Sequence, residues 1–223
     1  MMGTNSVVDI SHFNGHPNFQ RAKAAGIMGA IQKATQGTSF TDPTFAANRN
    51  SCSDAGLLFG AYHFGVGADG LEQADFFLSV LQPREQDVLV LDFEANPQGP
   101  SMTLEEARAF VTHVKAATGR WPGLYSGHYL KELLGTANDP VLTKCWLWLA
   151  QYGPTAVIPP AWREWTLWQY TDGALGPQPH TVDGIGACDR NRFNGTEDDL
   201  AAFWQAGGII TPQVLTRTAE RGG

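Results

Sequence analysis

The feature that most constrains the fold is a regular alternation of short apolar segments with helix-forming segments over the first 134 residues. The apolar segments have the length of strands, and several helix-forming segments begin near Pro and end before Gly. We predict strands at 7–11, 27–33, 57–64, 88–91 and 122–125, and helices at 17–25, 42–55, 71–81, 103–118 and 128–134. Such alternation is typical of a mainly parallel sheet covered by helices.

The pattern changes in the last third of the chain. Strand candidates at 145–150 and 165–170 are separated by three prolines, and a weaker candidate at 182–185 follows a segment rich in Gly and Pro, so neither gap favours a helix. A last helix is predicted from 196 to 206. Eight strands with five helices between the first of them predict an irregular TIM-like (β/α)5(β)3 barrel of the α/β class. We expect one domain at 1–206 and a loose tail at 207–223.

One strand ends in two carboxylates. Val88 to Leu91 is a continuous aliphatic run, typical of a strand buried on both faces, and Asp92-Phe93-Glu94 follows directly. Side chains two apart on a strand share a face, so Asp92 and Glu94 are expected side by side. Because adjacent carboxylates resist ionising together, one tends to keep its proton and can act as a general acid. Alternatively, both acids are solvated residues at a strand end. The apolar strand that precedes them favours a functional pair over this alternative.

Further acids follow other predicted strands. Asp9 ends the first strand, and Asp189 or Asp183 lies near the eighth. Catalytic groups of parallel barrels lie where the carboxyl ends of strands meet the loops. Asp9, Asp92, Glu94 and Asp189 are therefore predicted to face one another, although Asp9 alone is equally well explained as an acid that caps the following turn.

Composition excludes several classes of protein. The net charge of −7 argues against nucleic acid as a partner, and no apolar run has membrane-spanning length. The start lacks the basic and apolar regions of a signal peptide. The three cysteines show no C-x-x-C spacing and the six histidines no metal-binding spacing, so we expect free buried thiols, no metal and no cofactor. Seven tryptophans suit both a core and a cleft that stacks on sugar rings.

Seven short motifs, in order along the chain, resemble those of the glycoside hydrolase family 25 lysozymes of bacteria and bacteriophages. They cover roughly residues 7 to 205, and each is weak alone. They are Val8-Asp9-Ile10-Ser11, Lys33-Ala34-Thr35-Gln36-Gly37, Gly60-Ala61-Tyr62-His63-Phe64, Asp92-Phe93-Glu94, Trp148-Leu149-Ala150-Gln151-Tyr152, Trp168-Gln169-Tyr170 and Asp189-Arg190-Asn191-Arg192-Phe193. The last motif favours Asp189 over Asp183. Gln36 departs from the family pattern, which has Glu there, and so removes a charge at the edge of the cleft.

The resemblance implies an endo-acting N-acetylmuramidase. Glu94 would be the general acid and then the general base, while Asp92 would either position the substrate's 2-acetamido group or attack directly. Asp9 and Asp189 would raise the affinity of Glu94 for its proton. The residues expected to contact sugar are Tyr62, His63, Tyr125, Trp148, Tyr152, Trp168 and Gln169. Most of these are equally explicable as filling of the barrel, and His63 as a histidine satisfied near the core.

Two other functions are compatible with parts of the sequence. A family 18 chitinase-like barrel carries D-x-x-D-x-D-x-E. Aligned on Glu94, the four acidic places fall on Asp87, Val90, Asp92 and Glu94, so Val90 stands where that family needs an acid. A glycan-binding module without activity would not need the four acids. The resemblance and the missing signal peptide favour a monomeric bacteriophage endolysin that acts on bacterial peptidoglycan. It would be made in the host cytoplasm and would reach the wall after release.

Overall fold

In the part of the chain that the structure describes, eight strands close into a barrel and six α-helices pack against it. The computed structural model describes residues 3–209 of the chain. The strands are β1 (Thr4–Ile10), β2 (Gly29–Gln36), β3 (Phe40–Thr41), β4 (Leu58–Phe64), β5 (Val88–Asp92), β6 (Gly123–Ser126), β7 (Trp146–Ala150), β8 (Leu167–Thr171), β9 (Thr181–Val182), β10 (Gly186–Ala187) and β11 (Asp189–Phe193). The helices are α1 (Phe19–Ala24), α2 (Phe45–Asp54), α3 (Gly70–Leu81), α4 (Leu104–Thr118), α5 (His128–Leu134) and α6 (Glu197–Gln205).

The order of strands around the barrel confirms the predicted (β/α)5(β)3 architecture. The order is β1-β2-β4-β5-β6-β7-β8-β11, and β11 returns to pair with β1. Every neighbouring pair from β1 to β8 is parallel, whereas β11 is antiparallel to both β8 and β1. The short strand β3 extends the sheet at β2, outside the closed ring.

The prediction of a strand at 182–185 as part of the barrel is wrong. β9 and β10 form a separate two-stranded hairpin around that segment. Asp183 lies exposed in its turn and pairs with Arg21 on α1. The eighth barrel strand is β11 instead, and it begins at Asp189, which pairs in register with Asp9. Because β11 runs against its neighbours, its first residue lies at the end of the barrel where the parallel strands finish.

The strands of the barrel are buried on both faces. Val88 and Val90 of β5 belong to the cluster inside the barrel, together with Trp148. Leu89 and Leu91 belong to the layer between the barrel and its helices. Because side chains alternate between two buried faces, the whole run is apolar. The same alternation points the Asp92 side chain into the barrel.

Side-chain caps start two of the helices at the predicted residues. Thr103 and Glu106 form a reciprocal capping box on α4, with Thr103 N donating to Glu106 Oε2 at 2.7 Å. Thr196 and Asp199 form the equivalent box on α6. Each such cap is worth about 1 kcal/mol of helix stability. The acids at 197–199 therefore belong to the first turn of the helix predicted from 196.

The three cysteines are free and buried, which confirms that prediction. Among the described residues, no helix has both the length and the apolarity to cross a bilayer. The last described residues, Gly207 to Ile209, follow α6 directly, with Gly207 N bonded to Trp204 O. The rest of the predicted tail, 210–223, lies outside the described residues.

Candidate active site

A pocket of about 160 Å³ opens at the end of the barrel where the parallel strands finish. It contains all four acids that the sequence predicted for the site and five of the seven predicted sugar-binding residues. Its lining residues are Asp9, Tyr62, Asp92, Glu94, Tyr125, Trp148, Tyr152, Gln169 and Asp189. They come from seven of the eight barrel strands or the loops that follow them, so the site depends on closure of the whole ring.

Two side-chain amides, from β8 and β11, hold Asp9. Gln169 Nε2 donates to both carboxylate oxygens at 3.0 Å, and Asn191 Nδ2 donates to Oδ2 at 2.8 Å. The Asp189 carboxyl also hydrogen-bonds to Asp9. Burial raises the pKa of Asp9, and these hydrogen bonds lower it in part. Burial, followed by the charge of Asp9, raises the pKa of Asp189 to about 9. Asp189 is thus the protonated partner at neutral pH, and it donates to an ionised Asp9.

Aromatic donors fix the two amides in turn. Tyr125 Oη donates to Gln169 Oε1 at 2.8 Å, and Trp148 Nε1 donates to Asn191 Oδ1 at 2.6 Å. Each amide oxygen is thereby occupied, so each amide nitrogen has to point at Asp9. Sequence reasoning did not single out Asn191, although it follows Asp189 by two residues on β11 and so shares its inward face.

Asp92 and Glu94 occupy the opposite side of the mouth, at the end of β5. Asp92 is 6% exposed, and its Oδ1 atom has no hydrogen-bond partner within residues 3–209. Burial raises the pKa of Asp92 well above its usual range, and the charge of Glu94 raises it further. Burial and then the charge of Asp9 raise the pKa of Glu94. The two carboxyls therefore hold a proton between them in the pH range where isolated acids are ionised.

Lys33 is the cation that faces this pair, and sequence reasoning missed it as a site residue. Its Nζ donates to Gln36 Oε1 at 2.7 Å and lies 4.9 Å from the centre of the Phe64 ring. Burial lowers the pKa of Lys33, while the charges of Asp92 and other acids oppose that shift. The positive charge of Lys33 lowers the pKa of both Asp92 and Glu94. Gln36 binds the ammonium as an acceptor but adds no charge to neutralise it.

The groove continues beyond Glu94 towards α5. A second pocket of about 320 Å³ shares Glu94, Tyr125 and Tyr152 with the first. Its outer wall carries the exposed ion pair between His128 and Glu132. Glu94 consequently lies at the boundary between the two pockets, where a bound chain would pass from one to the other.

Two predicted sugar-binding residues lie outside the groove. His63 is fully buried, stacks on Phe110, and bonds to Thr35 and Gln73. Burial lowers its pKa to about 4. Its neighbour Tyr62 points inward, so the alternation of the strand sends His63 outward to the helices.

Trp168 faces outward for the same reason, since its neighbour Gln169 points into the barrel. Its ring packs against Trp165 and Tyr170 in a separate cluster, and its Nε1 donates to the Gln151 carbonyl at 2.7 Å. The prediction that His63 and Trp168 line the cleft is wrong. Trp168 instead anchors the loop that carries Tyr152.

Comparisons with known proteins place this geometry in a family. A family whose description is Glycosyl hydrolases family 25 matches residues 8–177. The chain belongs to glycosyl hydrolase family 25. The sequence is 34% identical over 212 residues to lysozyme M1 of Streptomyces globisporus, covering 88% of this chain and 70% of that protein. It is 31% identical to an N,O-diacetylmuramidase of a Chalaropsis species over 195 residues, covering 79% of this chain and 92% of the relative.

The fold agrees with the family assignment. The crystal structure of the bacterial lysozyme from Streptomyces coelicolor has a TM-score of 0.80 with this chain at 31% identity, covering 93% of this chain and 99% of that one. As a member of family 25, the chain is a glycosidase. The chitinase-like alternative is not favoured: Asp87 precedes β5 at the other end of the barrel and pairs with Arg49, and Val90 is part of the interior core.

Proposed function

We propose that this family 25 enzyme is a peptidoglycan hydrolase that cleaves the β-1,4 bond between N-acetylmuramic acid and N-acetylglucosamine. The observation that carries the proposal is the position of Glu94, which lies two residues after buried Asp92 and lines both connected pockets. A glycan chain that lies across both pockets brings one glycosidic oxygen to Glu94.

Glu94 acts as general acid in the first step and as general base in the second. Its raised pKa keeps it protonated at a pH where it can transfer that proton to the leaving oxygen. After the bond breaks, the ionised Glu94 accepts a proton from the water that attacks the anomeric carbon. Glu94 suits this role better than Asp92 because it is the more exposed of the two and lines both pockets.

Asp92 assists the reaction at the anomeric carbon. In the route that we favour, the substrate's 2-acetamido N–H donates to Asp92 while the acetamido oxygen attacks the anomeric carbon. The unpartnered Oδ1 of Asp92 is an acceptor suited to that N–H. Accepting it favours the ionised form of Asp92 and leaves the shared proton on Glu94. Direct attack by Asp92 on the anomeric carbon is the alternative, and it needs the same carboxylate.

Asp9 and Asp189 act through charge and hydrogen bonds. Asp9 stays ionised because two amides and the Asp189 carboxyl donate to it, and its charge raises the pKa of Glu94. Tyr62, Tyr125, Trp148, Tyr152 and Gln169 line the first pocket and are positioned to contact sugar there.

Analysis of the products tests the proposal. Purified cell wall is digested, the new reducing ends are reduced with borohydride, and the hydrolysed sugars are identified. Muraminitol is the expected product. Glucosaminitol as the main product would identify a different glycosidase, whereas new amino termini without new reducing ends would indicate an amidase or peptidase. The Glu94→Gln protein is the control for contaminating hydrolases.

The biological setting that we propose is host lysis by a bacteriophage, with the enzyme acting as a monomer on the wall after release from the cytoplasm. The support is the resemblance to a family that includes bacteriophage lysozymes. Expression in a bacterium should leave cells intact until the membrane is permeabilised and then cause rapid lysis. Lysis without permeabilisation would contradict this setting, and gel filtration would test the monomer.

A further inference from the structure

An exposed group of aromatic rings lies beside the mouth of the barrel, outside both pockets. Phe13 is 88% exposed and Phe40 is 42% exposed. The ring of His12 lies between them, with its centre 4.1 Å from that of Phe13 and 6.1 Å from that of Phe40. We refer to His12, Phe13 and Phe40 as the aromatic platform. Grouped exposed apolar side chains of this kind commonly mark a binding groove.

Hydrogen bonds fix the loop that carries His12 and Phe13, together with the His12 ring. The loop that carries His12 and Phe13 is a single turn closed by a capping box, in which Ser11 N donates to Asn14 Oδ1 at 3.1 Å. Asp42, which is buried, accepts from His12 N at 3.0 Å and bonds to His12 Nδ1 at 2.8 Å. A loop that is already ordered loses less conformational entropy when it binds a ligand.

The platform is continuous with the active site. The centre of the Phe40 ring lies 5.7 Å from Nζ of Lys33, the cation that faces Asp92 and Glu94. Phe40 belongs to β3 beside β2, and β2 lies opposite β7 in the ring because three strands separate them on either side. The second pocket lies at the β7 side. A line from that pocket, past Glu94 and Lys33, therefore leads across the mouth to the platform.

We propose that the aromatic platform is a distal sugar-binding subsite, which stacks a pyranose ring of the glycan strand several residues away from the cleaved bond. The inference rests on the proposed function, because it extends the same groove. An uncharged sugar ring suits the flat faces of Phe13 and Phe40. A stem peptide is less suited, since its carboxylates would approach a mouth lined by Asp9, Asp92, Glu94 and Asp189.

Peptide-free glycan chains of graded length test the subsite. With long chains, Phe13→Ala should raise KM about 5- to 20-fold and leave kcat unchanged, since an aromatic contact of this kind is lost. With the shortest chain that the parent cleaves, the parent and Phe13→Ala should have equal KM values, because such a chain does not reach the platform. Phe13→Tyr should retain the parent KM, and Phe13→Leu should not, since only Tyr keeps the flat ring. Leu71→Ala, which removes another half-exposed apolar side chain, serves as the control.

Three results would overturn the subsite. They are equal KM values for parent and Phe13→Ala at every length, the same loss at every length, and a loss seen only with chains that carry peptides. Calorimetry of long glycan chains with Glu94→Gln, with and without Phe13→Ala, gives a readout that does not need cleavage. If the parent cleaves no glycan, the proposed function fails, while the calorimetric difference still decides whether the platform binds sugar.

Discussion

Two pairs of carboxylates face each other across the barrel mouth, and they differ in how their oxygens are satisfied. In the Asp9–Asp189 pair, both oxygens of Asp9 accept hydrogen bonds from amides that are themselves fixed by Tyr125 and Trp148. In the Asp92–Glu94 pair, Asp92 Oδ1 has no partner among the described residues, and the nearby cation Lys33 bonds to Gln36 instead.

The contrast separates the work of the two pairs. A carboxylate whose lone pairs are already used is held in one orientation and one ionisation state, so it contributes a fixed charge. A buried carboxylate without partners is destabilised until a ligand supplies a donor, so it is suited to act on substrate. In the proposed mechanism, the first pair sets the electrostatic field and the second carries out the reaction.

Glu94→Gln should give the largest effect, because the amide keeps the shape of the side chain but cannot transfer a proton. Loss of a general acid and base lowers the rate by about 10²- to 10⁴-fold. Release of reducing ends from purified wall measures the effect, and circular dichroism verifies the fold. Glu105→Gln, at the exposed start of α4, is the matched control. Wall clearing at the parent rate by folded Glu94→Gln would refute the assignment.

Asp92→Asn should lower kcat nearly as much, by about 10²- to 10³-fold, since the charge that supports the reaction centre is lost. Asp54→Asn, on the exposed end of α2, is the matched control. In the variant Asp92→Ala, whose side chain is smaller, added azide distinguishes direct attack by Asp92 from assistance to the 2-acetamido group. Recovery of activity with formation of an α-glycosyl azide would identify Asp92 as the nucleophile, whereas the acetamido route predicts no recovery.

Asp9→Asn should lower kcat/KM by only about tenfold, because Asp9 acts through its charge. That charge raises the pKa of Glu94. Without it, Glu94 loses its proton at lower pH, so the basic limb of the pH–rate profile should move to lower pH. Identical acidic and basic limbs in parent and variant would show that Asp9 does not influence the reacting pair.

Asp189→Asn should stabilise the protein at neutral and alkaline pH. The pKa of Asp189 is raised to about 9 in the folded state, so the folded chain binds a proton that the unfolded chain has released. The stabilisation that Asp189 contributes is therefore complete below the pKa that Asp189 has in the unfolded chain. It decreases as pH rises from about 4 to about 9. An Asn that donates to Asp9 removes this loss, so Tm should rise by about 3–8 °C at pH 8 and change little at pH 3.

Thermal melts of Asp183→Asn provide the matched control for that variant. Asp183 is exposed and pairs with Arg21 on the surface, away from the pocket. Its substitution should therefore change Tm little at either pH. A gain in Tm for Asp189→Asn that is equal at pH 3 and pH 8 would contradict the protonation assigned to the Asp9–Asp189 pair.

Gln36→Glu should give the smallest effect. The new carboxylate neutralises Lys33, which lowers the pKa of Asp92 and Glu94 in the present chain. The basic limb of the pH–rate profile should consequently move to higher pH, by about half a pH unit or less. Gln20→Glu on the exposed face of α1 controls for the change in net charge. A shift to lower pH would show that Lys33 does not act on the reacting pair.

Much of the fold can be predicted from the sequence, because residues close together along the chain are enough to indicate each parallel strand and the helix that follows it. The aliphatic run that ends at Asp92 predicted both the strand and the direction of its last side chain. The direction of β11 has no comparable local signal, since DRNRF reads the same in parallel and antiparallel pairing. Asp189 was correctly expected near the mouth, but it lies at the start of its strand and not at the end.

The errors at the site have a different origin. Tyr62 and His63 are adjacent on one strand, so only one of them can face the groove, and the same holds for Trp168 and Gln169. Applied consistently, this rule selects Tyr62 and Gln169, and it adds Lys33, which follows inward-facing Ile31 by two residues. The protonation of Asp189 and the exposure of Phe13 depend on contacts between distant segments, which no local pattern predicts.

The antiparallel return of β11 to β1 affects when the enzyme becomes active during synthesis. Asp9 lies on the first strand of the barrel, and its hydrogen bond to Asn191 on the last barrel strand spans 182 residues of chain. Contacts of such separation form late in folding, because the intervening chain has to be ordered first. A nascent or truncated chain that lacks β11 has Asp92 and Glu94 but no fixed field around them. In the proposed mechanism, catalytic competence therefore arrives only with ring closure, after β11 has been made.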